Sequence, residues 1–143
     1  MDSGSDTNRL AYKEEERVVR LLNTRRVPDW LIGPCWSVEP NGIDDQQGID
    51  AFVGTTVGLI PLQIKLVGRK AGKRGKDRHF YYEKGIGFVT TKWGCFERFK
   101  NDDELFSETL EEIQQIFNNL VNLIKVCYCS FTPTNDCWVT RRK

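Results

Sequence analysis

The stretch Gly48–Leu66, Gly-Ile-Asp-Ala-Phe-Val-Gly-Thr-Thr-Val-Gly-Leu-Ile-Pro-Leu-Gln-Ile-Lys-Leu, decides how the chain is read. It holds two short β-like runs, Ile49 to Val53 and Val57 to Leu66. Gly54-Thr55-Thr56 between them reads as a hairpin connection, because glycine tolerates the positive φ of a tight turn. Pro61 has no N–H for a ladder, so the second run is expected to begin there or to form an edge or bulge. Side chains alternate along a strand, which places Gln63 and Lys65 on one face and Ile64 on the other. A hairpin brings Asp50, at the head of the first run, beside that pair. A carboxylate, an amide and an ammonium group then converge.

Working outward, the spacing of Leu10, Ala11, Val18, Leu21 and Leu22 predicts a helix from about Asn8 to Asn23. Thr7 or Asn8 can cap it, and Arg25, Arg26 and Pro28 mark its end. Trp30 to Pro40 reads as a turn or a short irregular strand, and Asn41 to Gly48 as turn-rich. Downstream, Gly68 to Asp77 is expected to be a mobile loop. His79 to Tyr82 and Ile86 to Thr90 read as strands. Phe106, Leu110, Ile113, Phe117, Leu120 and Ile124 form one apolar stripe, which predicts a helix from Asp102 to Lys125 capped by Asn101 or Asp102. Val126 to Phe131 reads as a last strand. The order is helix, hairpin-like strands, helix, strand: an α/β fold with a central mixed β-sheet flanked by helices, one domain over residues 1–143.

The composition fits an ordinary globular domain. The 143 residues are 39% hydrophobic and 29% charged, with four Trp, eight Phe and four Tyr to fill a core. No run is apolar for the length a bilayer demands, and Met1 to Asp6 lacks a signal-peptide core, so a cytoplasmic location away from the membrane is expected. Five cysteines at irregular spacing, without C-x-x-C, argue for reduced thiols. Cys127, Cys129 and Cys137 cluster near the end, but the only histidine, His79, is distant, which disfavours zinc. The net charge of +1 gives no global basic excess. Arg69, Lys70, Lys73, Arg74, Lys76 and Arg78 nevertheless crowd one segment, either as a solvated loop or as phosphate contacts. Phe80 and Tyr82 are expected in the core, with Trp93 and Trp138 as packing residues.

The convergence of Asp50, Gln63 and Lys65 is the combination that phosphodiester hydrolysis needs. A hard divalent cation takes oxygen ligands, and a lysine steadies the charge that develops on phosphoryl oxygens. Gly-Ile-Asp followed by Gln-x-Lys resembles the PD-(D/E)XK nuclease superfamily, most closely the catalytic domains of Mrr-type restriction endonucleases. The resemblance covers Ala11 to Lys65 at motif level. It implies a restriction-endonuclease-like core, with Asp50 as acidic metal ligand, Gln63 at the usual second-acid position and Lys65 as catalytic lysine. The main-chain carbonyl of Ile64 would be a further ligand. Members often add a glutamate from the first helix, for which Glu14, Glu15 and Glu16 compete. At 100° per residue Glu15 falls between Val18, Val19 and Leu22 on the buried face, Glu14 is second, and Glu16 points most nearly to solvent. The context of Glu15, Glu-x-x-Val-Val-x-Leu-Leu, is also similar to the first helix of archaeal Holliday-junction resolvases.

The expected function is therefore a metal-dependent endonuclease acting on DNA or another nucleic acid with Mg²⁺ or Mn²⁺. Cutting both strands would call for a homodimer. A non-catalytic nucleic-acid-binding module on the same fold and a protein-interaction domain are the alternatives.

Overall fold

A computed structural model describes residues 3–39, 42–66, 78–93 and 98–131. In chain order these form α1 (Ser3–Thr24), β1 (Leu31–Ser37), α2 (Ile43–Gln46), β2 (Ala51–Thr55), β3 (Gly58–Lys65), α3 (residues 78–83), β4 (Gly87–Thr90), β5 (Lys92–Trp93), β6 (Arg98–Phe99) and α4 (Asp102–Phe131). The main sheet runs β1-β2-β3-β4. Its first three strands are antiparallel and β4 lies parallel to β3, while β5 and β6 form a separate antiparallel pair. The fold is α/β, a central mixed sheet flanked by helices.

The register explains the layers. Ala51 pairs with Leu62 and Val53 with Ile60, and Ile64 pairs with Val89 on the parallel side. These six side chains share one face and are buried with Val18, Leu21 and Leu22 of α1 and Leu105, Ile113 and Ile116 of α4. Both long helices thus cover the same face. Arg17 of α1 reaches Asp102 of α4 at 2.9 Å, and Arg25 reaches Asp103 at 2.5 Å. Trp30 stacks on Phe117 at 4.4 Å beside this core. On the opposite face Trp36 lies against Phe52, and Tyr81 of α3 stacks on Phe88. Asn101 caps α4: its Oδ1 accepts the Glu104 N–H at 2.8 Å, and Glu104 Oε1 accepts the Asn101 N–H at 2.9 Å.

Several expectations need correction. The hairpin turn is Thr56-Val57, not Gly54-Thr55-Thr56. Thr55 builds it by accepting the Val57 N–H and donating to the Gly58 carbonyl. Gly54 lies inside β2, where a Cβ would stand 2.7 Å from the Gly33 carbonyl oxygen of β1. Close approach of backbones explains that glycine. Pro61 sits mid-strand opposite Phe52. Residues 79–82 are helical, because parallel β3 and β4 need a crossover that a hairpin cannot supply. Phe80 is accordingly 53% exposed, whereas Tyr82 packs partly against the core. Residues 126–131 continue α4: extending a formed helix needs no new nucleus, and the next breaker is Pro133. Cys127 and Cys129 therefore lie on a helix and not on a strand. Cys137 and Trp138 fall outside the described residues. No helix among the described residues is long and apolar enough to cross a membrane.

Candidate metal centre

The site forms where β2 begins and β3 runs on. Asp50 precedes β2 in register with β1, its carbonyl accepting the Val38 N–H at 3.0 Å. Against β3 it slips by one residue, where its N–H donates at 2.7 Å to the carbonyl of Leu62, the partner of Ala51. The Asp50 carboxylate still stands beside Gln63, 3.0 Å from its amide. Its Oδ2 accepts the Ile64 N–H at 2.8 Å. In a strand the N–H and carbonyl of one residue leave on the same side, so the Ile64 carbonyl also points past the end of β2. The turn before Asp50 is closed by Gly48, whose φ is 85° and whose N–H donates to the Asp45 carbonyl at 3.1 Å. An added Cβ there would also meet the Tyr81 ring at 3.0 Å.

The Gln63 side chain is buried. Its oxygen, aimed at Asp50 Oδ2 and the Gly48 carbonyl, would meet only acceptors. The NH₂ group therefore occupies that position and donates to both, at 3.0 Å to Asp50 Oδ2. Lys65 follows on the same strand face and is exposed.

From the helical side, α1 delivers its glutamates. Glu14, not Glu15, is the most buried of the three at 7% exposure, and its charge is taken by Arg17 at 2.7 Å. Glu15 is partly buried and Glu16 exposed. Ala11, Glu14, Glu15, Asp50, Gln63, Ile64, Lys65 and Leu66 line one open cleft of about 290 Å³. The residues singled out from the sequence as Glu15, Asp50, Gln63, Ile64 and Lys65 are brought together.

Electrostatics mark the cleft as short of positive charge. Burial, then the charges of Asp50 and Asp45, push the Glu15 carboxyl up to about 7. Asp50 is raised as well, mainly by burial; the Ile64 N–H opposes this, Asp45 adds to it, and Lys65 opposes it. Asp45 was not anticipated. Its only signal was the acidic pair Asp44-Asp45 ahead of Gly48, which reads as ordinary turn polarity. Among the described residues no group of three or more His, Cys, Asp or Glu is placed to hold a metal. The oxygen set here is different: with the Gln63 NH₂ turned to Asp50, the oxygens left to a cation are those of two carboxylates and the Ile64 carbonyl. A hard cation accepts such mixed oxygen ligands.

The raised Glu15 carboxyl has a consequence for stability without metal. A carboxyl whose folded value exceeds its unfolded one loses stability as pH rises between them, here from about 4.5 to about 7. Partial exposure screens the effect, leaving about 1–2 kcal/mol. Glu15→Gln should therefore stabilise the metal-free protein at pH 8 by that amount and hardly at all at pH 4. Urea unfolding in chelator at both pH values checks this, and equal gains at both would remove the charge from the explanation.

Of the basic group, only Arg78 is described. It pairs with Glu112 at 2.7 Å and donates to Gln115 Oε1 at 3.0 Å, which turns it toward α4. Arg69, Lys70, Lys73, Arg74 and Lys76 lie outside the described residues. Comparison of the chain with protein-family models, curated proteins and solved structures finds no match, so the functional reading rests on the geometry of this cleft.

Proposed function

We propose that this protein is a metal-dependent endonuclease that hydrolyses phosphodiester bonds in DNA, a nuclease of the PD-(D/E)XK kind. The observation that carries the reading is the convergence of Glu15, Asp50, Gln63, the Ile64 carbonyl and Lys65 on one cleft. A bound Mg²⁺ or Mn²⁺ would polarise the phosphate and acidify a water there. The chain's own parts are a binding set and a cation. Asp50 and Glu15 supply the negative charge that draws the metal, and the Ile64 carbonyl adds an oxygen to its shell without further charge. Lys65, exposed at the end of β3, faces the phosphate and steadies the charge that grows on its oxygens. The open cleft admits a strand from solvent.

Incubating supercoiled plasmid with the protein and Mg²⁺ or Mn²⁺ should produce nicked and linear forms, and chelator should prevent this. Intact plasmid under all metals would overturn the nuclease reading. Lys65→Met should lower turnover by roughly 10²–10³-fold. Its cation affinity by calorimetry should not fall, because Lys65 opposes metal charge. Replacing Lys70, Lys73, Arg74 and Lys76 with Ala should flatten the salt dependence of DNA binding by about 0.9 in slope for each phosphate no longer neutralised. An unchanged slope would reduce that segment to a solvated connection.

One observation favours a second reading, a nucleic-acid-binding module without turnover. Gln63 supplies an amide where an acid would give the centre another negative charge. Metal-independent, salt-sensitive DNA binding with no cleavage is its signature.

A further inference from the structure

Gln63 occupies the position at which an acid would ordinarily add charge, yet its amide faces two acceptors. We propose that Gln63 is a positioning residue, whose NH₂ group ties Asp50 to the Gly48 turn and thereby assembles the centre before any cation arrives. The proposal rests on the reading that this cleft takes a divalent metal.

The geometry closes a ring of interactions. Gln63 donates to Asp50 Oδ2 at 3.0 Å and to the Gly48 carbonyl. Gly48 leaves room beside the Tyr81 ring that a Cβ would fill, at 3.0 Å. Tyr81 stacks on Phe88 at 5.4 Å with 6° between the rings, and Phe88 is the register partner of Gln63 on β4. Gln63 is 7% exposed and its amide donates to two acceptors, so the amide has little freedom to turn. Asp50 Oδ2 already accepts the Ile64 N–H. With the amide added, that oxygen holds two donors, and Oδ1 is left to face a ligand. Asp50 is thus oriented as a one-oxygen ligand.

A glutamate at position 63 would invert this arrangement. Its carboxylate would meet the Asp50 carboxylate and the Gly48 carbonyl with no proton to share, and like charges that close repel strongly. A centre of that design is held together by its cation. The glutamine centre replaces part of the metal's structural role with two hydrogen bonds, and gives up one negative charge. It should bind metal more weakly but stand ready without it.

Thermal unfolding of wild type, Gln63→Glu, Gln63→Leu and the double variant Asp50→Asn/Gln63→Glu tests this, each in chelator and with Mn²⁺ at pH 8. In chelator, Gln63→Leu should unfold several degrees below wild type, because the Gly48 carbonyl loses the amide donor and Asp50 Oδ2 loses one of its two. Gln63→Glu should unfold lower still, roughly 5–10 °C below wild type. Mn²⁺ should raise Gln63→Glu by more than wild type and should not rescue Gln63→Leu to the same extent. The double variant returns an amide to the pair, now from position 50, and should recover a large part of the loss in chelator. Gln63→Glu as stable as wild type in chelator would overturn the proposal. So would a double variant no better than Gln63→Glu. If Gln63→Glu proves too unstable to purify in chelator, preparation with Mn²⁺ followed by chelation reads the same quantity. Should Mn²⁺ shift none of the four proteins, the metal reading fails, while the order in chelator still decides the role of the amide.

Discussion

Asp50→Asn is expected to reduce plasmid cleavage by on the order of 10³-fold or more while the protein stays folded. The substitution removes the charge that the cation would need most. It keeps an oxygen for the Ile64 N–H, which Asp50 Oδ2 accepts at 2.8 Å. Folding should change little, because burial already disfavours the Asp50 charge, and its loss removes one of the repulsions acting on Glu15. Asp50→Ala is the poorer test. It would strand the Ile64 N–H and take from the Gln63 amide one of its two acceptors, a loss of about 1–3 kcal/mol for a buried group left unpaired. Cleavage and stability would then fall together. Calorimetric titration of Mn²⁺ into the Asn variant separates the two, and undiminished affinity with full cleavage would remove Asp50 from the centre.

Much of this arrangement could be read from the chain because it depends on local periodicity. Alternation along Leu62–Lys65 placed Gln63 and Lys65 on one face, and the β2–β3 pairing puts Asp50 beside them. The stripe from Phe106 to Ile124 predicts α4, although Ile124 itself is exposed, and Asn101 is one of the two expected caps. The misreadings come from elsewhere in the physics. His-Phe-Tyr-Tyr at residues 79–82 is a strand by composition, but the parallel partnership of β3 and β4 makes a helical crossover the workable connection. Partnerships between distant strands leave no mark on local composition.

The glutamates show the same limit at finer scale. A helical wheel ranks Glu15 as facing the core, yet Glu14 is the more buried, because Arg17 and Asp102 provide an ion-pair network for it. Asp102 is distant in sequence, so the pairing that leaves Glu15 to the cleft was not legible. Nor was the hydrogen-bonding direction of the Gln63 amide, which only the placement of the Gly48 carbonyl decides. In both cases the residue was visible and its partner was not.

The largest expected loss of stability lies outside the cleft, at a residue no motif marks. Lys100 is 1% exposed, an exceptional burial for a lysine. Its Nζ donates to the Thr90 carbonyl and to Thr90 Oγ1, both at 2.8 Å, and pairs closely with Glu108. The ammonium also sits 4.9 Å from the centre of the Trp93 ring. A buried ammonium is tolerated only when it is fully paired, and removing one partner leaves the other uncompensated. Glu108 retains 23% exposure of its side chain and can turn to water; the Thr90 carbonyl at the end of β4 is in a buried residue. Lys100→Ala should therefore cost about 3–5 kcal/mol, since it adds a cavity to the lost pairing. Lys100→Met keeps most of the volume and should cost less, about 1–3 kcal/mol. Urea unfolding measures both, and a loss under about 1 kcal/mol for the Ala variant would show that the ammonium is not held as described. The effect should also reach the cleft. Thr90 is the register partner of Lys65, and the Thr91 N–H donates to the Lys65 carbonyl at 3.0 Å. Amide exchange at Thr91 in Lys100→Met should quicken more than at Val53 of β2, because the tether of β4 has been cut while the β2–β3 ladder is intact.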